Sequence, residues 1–135
     1  SELLPKEMGY YSDPYDDFGR LAMEIWRAAR LVVDTGIHDR QWTREEAIQY
    51  LLDNTPNPEG DCKKAIERYI VMPGQATAYK IGMLKIVELR EQAKSKLGDS
   101  FDIRDFHDVV LRDGAVPLAV LEQNVDAWVA ETQQD

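Results

Sequence analysis

Apolar positions in this chain recur three and four residues apart, and runs that alternate apolar with polar are scarce. Helices rather than strands therefore organise the sequence. The strongest repeat is Phe18, Leu21, Ala22, Ile25, Trp26, Ala29, Val32 and Val33, which makes one wide apolar face. Its start is marked by Asp13 as N-cap and by Pro14 at the first helical position, where a missing N–H costs little. Asp16 and Asp17 follow at the positive end of the helix dipole, and Gly36 is the expected stop. A second helix opens on Thr43-Arg44-Glu45-Glu46, the spacing of a capping box, with Trp42 placed to staple onto Ala47. It should end near Asn54, before Thr55-Pro56-Asn57-Pro58.

Pro58 starts a third helix with Cys62, Ala65, Ile66, Tyr69 and Ile70 on its inner side. Pro73-Gly74 interrupts the pattern as either a kink or a break, and a long helix follows from Gln75 to Leu97, closed by Gly98. Asp102 caps a fifth helix, with Phe101 and Phe106 at staple spacing and Gly114 as its end. Pro117 opens a sixth, carrying Leu118, Leu121, Val125 and Trp128, and residues 131–135 form a polar tail expected to fray. The expectation is one all-α unit spanning 1–135, about six helices in a single irregular bundle. The opening Ser1-Glu2-Leu3-Leu4 reads as the end of a helix entering from an upstream segment, as in a processed or excised chain.

Composition narrows the function. The 135 residues carry 25 acidic and 16 basic side chains, a net charge of −9, which disfavours a phosphate-tracking nucleic-acid binder. The basic residues between Lys80 and Lys96 are interleaved with Glu88, Glu91 and apolar positions, as on a solvated helix face. No run approaches the length of a membrane-spanning helix. A lone Cys62 excludes an internal disulfide framework.

Metal signatures are missing: there is no H-E-x-x-H, no C-x-x-C and no clustered histidine pair. The acidic run from Asp13 to Asp17 lacks the alternating ligands of a calcium loop. A second stripe on the first helix is more suggestive. Arg27, Arg30, Asp34 and, if the helix passes Gly36, His38 share one side opposite the apolar face, where they could bind a carboxylate or stabilise an oxyanion. The plain alternative is a solvated face laced with ion pairs. Tyr69, Gln75 and Tyr79 bracket the Pro73-Gly74 interruption, where freed carbonyls and polar side chains meet. His107, beside Phe106 and Val110, reads as an edge-of-core histidine.

Three segments taken together resemble a known family: Asp13 to Leu21, Trp26 to His38, and Arg68 to Gly82. They are similar to the C-terminal part of the bacterial family called domain of unknown function 885. The family resembles helical zincin-like metallopeptidases, whose histidine-glutamate metal motif and further Glu-Gly-Trp segment would lie upstream of Ser1. The resemblance thus implies the C-terminal portion of a larger helical catalytic domain, with zinc held in the full-length protein by ligands outside this chain and no metal bound by this chain. It implies Tyr69, Tyr79 and His38 as donors to the developing oxyanion, Arg27, Arg30, Asp34 and Gln75 as substrate-binding groups, and Glu2 beside the upstream glutamate segment. The expected partners are the upstream part of the same polypeptide and a peptide-like substrate, and the expected location is periplasmic or exported.

Two functions follow. One is the substrate-cleft part of a zinc-dependent peptidase or amide hydrolase, inactive by itself. The other is a noncatalytic helical interaction module. A part cut from a larger domain should expose an apolar patch, through which copies could pair as dimers.

Overall fold

The computed structural model describes residues 3–134. Among the described residues there is no strand, and the helices are α1 (Leu3–Glu7), α2 (Pro14–His38), α3 (Arg44–Asn54), α4 (Glu59–Val71), α5 (Gln75–Leu97), α6 (Ile103–Arg112) and α7 (Leu118–Thr132), with a 3₁₀ turn at Gly98–Ser100. The six expected helices are α2 to α7, and the short α1 covers Leu3 and Leu4. Capping follows the sequence: the Asp13 carboxylate accepts from Tyr15 N–H, Asp102 from Arg104 N–H, and Thr43 and Glu46 form a reciprocal capping box.

Gly36 does not stop α2. The helix runs on to His38, and the Asp39 N–H closes it onto the Thr35 carbonyl. Gly36 is required instead by the indole of Trp42: a Cβ at this position would come within 2.5 Å of the ring. Pro73-Gly74 is a true break, because Gly74 adopts φ +79°, a left-handed conformation open to glycine without strain.

The chain divides into two compact units, Ser1–Lys80 and Ile81–Asp135, the boundary falling within α5. In the first unit α2, α3 and α4 enclose a core of Ala29, Val33, Ala47, Ile48, Leu51, Cys62, Ile66, Tyr69 and Ala76. Trp26, Ile37 and Trp42 pack around it. In the second, Leu89, Ala93 and Leu97 meet Phe106 and Val109 of α6 and Leu121, Val125 and Val129 of α7. Phe101, Phe106 and Trp128 stack with centroids 6.2 to 6.3 Å apart. His107 lies partly buried beside Phe106, as its position in the repeat suggested.

The wide apolar face of α2 is used unevenly. Its second half, from Trp26 onward, enters the core, whereas Phe18, Leu21 and Ile25 stay 63%, 49% and 46% exposed. Pro56, Lys80 and these residues border an open apolar groove of about 630 Å³.

Candidate functional site

The break between α4 and α5 draws together residues far apart in sequence. A helix start leaves N–H groups without partners inside the helix, and at α5 a side chain from α2 meets two such groups. The Asp34 carboxylate, 2% exposed, accepts from Gly74 N–H and Thr77 N–H, both at 3.1 Å, and from the Thr77 hydroxyl at 3.3 Å. Asp34 is therefore a cap supplied from another helix, and its negative charge sits at the positive end of the α5 dipole.

One turn earlier on α2, Arg30 reaches the same region. Its Nη2 donates to Gln75 Oε1 at 3.1 Å, and its guanidinium lies 5.3 Å from the Tyr69 ring centroid and 4.8 Å from that of Tyr79. The cation thus lies over two aromatic faces, whose negative π-clouds attract it. Gln75 turns its Nε2 to the Tyr79 hydroxyl at 3.2 Å. The Arg30 Nε is buried and makes no hydrogen bond.

His38 completes the group. Its Nε2 lies 3.0 Å from the Tyr69 carbonyl oxygen and 3.5 Å from Asp34 Oδ1. Because a carbonyl only accepts, Nε2 carries the proton. Asp34, Thr35, His38, Asp39, Gly74 and Thr77 line a shallow pocket of about 230 Å³. Tyr69 is buried while Tyr79 is half exposed. Burial pushes the Tyr69 phenol above its ordinary pKa although Arg30 pulls the other way, so at neutral pH this hydroxyl is a donor.

Of the residues singled out from sequence, Arg30, Tyr69, Gln75 and Tyr79 form one contact group, with Asp34 and His38 adjoining it through Gly74, Thr77 and the Tyr69 carbonyl. Arg27 is partly buried on α2, three residues before Arg30. Glu2 lies outside the described residues. Thr77 was not foreseen; its signal was its place in the first turn after a Pro-Gly break. Among the described residues no group of three or more histidine, cysteine, aspartate or glutamate side chains is arranged to hold a metal ion. The donor set around Arg30 does not fit zinc.

Comparison with known proteins decides the kinship. The family model described as bacterial protein of unknown function, DUF885, matches residues 1–125. The chain belongs to this family. Among curated protein sequences none matches it. Among solved structures, the DUF885 chain is similar to a protein of Colwellia psychrerythraea described as a "putative lipoprotein", with 56% identity and a TM-score of 0.93. The likeness covers 96% of this chain but 22% of that one. The same fold therefore occurs there as about a fifth of a much longer polypeptide.

Proposed function

We propose that this chain is a noncatalytic helical docking part of a longer DUF885 protein, and that the first half of α2 packs against another segment of that polypeptide. The observation that carries the reading is the open groove flanked by Phe18, Leu21 and Ile25. Apolar area of this kind is unfavourable in water and marks a surface that meets other protein. The occupant is argued from length: a 56% identical relative carries this fold as 22% of its chain, which leaves ample polypeptide to cover it. The lipoprotein-like relative supports a location outside the cytoplasm. No described helix is long and apolar enough to cross a membrane.

The test is Leu21→Glu, made both in the gene's full-length product and in the 135-residue chain. A carboxylate at this position should destabilise the full-length product by about 2 kcal/mol or more. The 135-residue chain should change by less than about 0.5 kcal/mol, as at an ordinary surface position. Equal small effects in both would sink the docking reading.

A second reading, the cleft wall of an amide hydrolase, is favoured by the convergence of Tyr69, Tyr79, Gln75 and Arg30. In it a phenolic hydroxyl donates to the oxygen that becomes negative as the carbonyl is attacked. Among the described residues no ligand set for the zinc implied by the resemblance is found, so no step is assigned to it here. Tyr79→Phe in the full-length product should lower cleavage of a mixed peptide library about 100-fold. Cleavage untouched by this change would remove Tyr79 from the reaction.

A further inference from the structure

Several arginines of the chain are paired with carboxylates. Arg20 is bound by Asp17 and Glu24, Arg44 by Glu45 and Glu67, and Arg104 by Asp102. Among the described residues Arg30 has instead one amide oxygen and two aromatic rings. Asp34, one turn away on the same helix, directs its oxygens to Gly74 and Thr77. A partly buried cation without a counter-ion is costly unless an anion completes it.

The neighbours are also oriented for an incoming acceptor. Gln75 must present Oε1 to the guanidinium, which cannot accept, and so gives its Nε2 protons to Tyr79 Oη. A phenol that accepts from Gln75 keeps its own proton for another partner. Tyr79 is half exposed, and Arg30 beside it is partly buried. The Nε is buried and makes no hydrogen bond, which leaves it as an internal reporter.

We infer that Arg30, Gln75 and Tyr79 form a recognition site for one carboxylate group of a ligand. The guanidinium Nη edge donates to the carboxylate, Tyr79 adds a hydroxyl donor, and the two rings attract the cation. A planar monoanion suits a single guanidinium on a protein of net charge −9 better than a phosphate dianion does. The inference rests on the cleft reading for the place of the site and on no reaction there. Two sources share this chemistry, the C-terminus of a peptide and an acidic side chain.

The experiment follows the Arg30 Nε–H resonance of the full 135-residue chain by nitrogen-15 NMR. The probes are acetyl-trialanine with a free carboxylate, its C-terminal amide, and acetyl-Ala-Glu-Ala-amide. A saturable shift with either carboxylate probe and none with the neutral amide supports the site, and the stronger of the two names the source. Arg30→Lys should weaken binding roughly tenfold or more by removing the fork, and Tyr79→Phe by a similar factor for one charge-assisted hydrogen bond. Both variants keep the neighbouring core, and their amide spectra report whether it is intact. An absent shift, or one of equal size with the neutral amide, overturns the inference. Cleavage plays no part in this readout, so hydrolysis can fail while binding holds.

Discussion

Asp34 shows how one side chain can be read in two ways. In the sequence it belongs to a polar stripe with Arg27, Arg30 and His38, and a stripe of charges suggests a surface. In the structure it is buried and capped onto a helix that starts forty residues later. What the helical period supplied was the correct side of α2. What it lacked was the partner, since nothing local announces that Gly74 will come to rest there. Asp34→Ala should therefore cost stability and not just binding: two N–H groups lose a charged acceptor, worth about 1–3 kcal/mol. Urea unfolding of the chain checks this, and an unchanged midpoint would mean that water replaces the carboxylate at no cost. Tyr69 was easier to read, because its spacing with Cys62 and Ile66 predicted an inner position and it is buried.

Helix boundaries were legible wherever a side chain does the capping. Asp13, Thr43 with Glu46, and Asp102 act locally, so their roles survive any tertiary arrangement. Gly36 was misjudged because a glycine that ends a helix and a glycine that admits a neighbouring ring look alike in sequence, and the ring of Trp42 settles the matter. The capping box at α3 has a pH consequence. Hydrogen bonds from the Thr43 backbone and hydroxyl lower the Glu46 pKa. A lowered pKa in the folded state contributes stability that is present above the ordinary glutamate range and is lost as pH falls through the lowered value. Glu46→Gln should consequently flatten the acid limb of the stability profile below about pH 5, read by urea unfolding at each pH. A profile parallel to that of the parent would show that the box does not titrate.

For the chain as a whole, an all-α class and the family kinship could both be read in the residues, and the match across 1–125 bears out the kinship. The division at Lys80 and Ile81 was not legible, because the helical period runs through α5 without interruption. The uneven use of α2 was hidden for a similar reason: periodicity marks a face as apolar but does not say which neighbour covers each turn. The turns from Trp26 onward pack into the core with α3 and α4, whereas Phe18, Leu21 and Ile25 stay exposed. That difference supports a docking part of a longer protein, and side-chain footprinting reads it directly. Hydroxyl radicals should label Phe18, Leu21 and Ile25 in the 135-residue chain, kept dilute to prevent self-association, and leave them protected in the full-length product. Equal labelling in both would contradict the account.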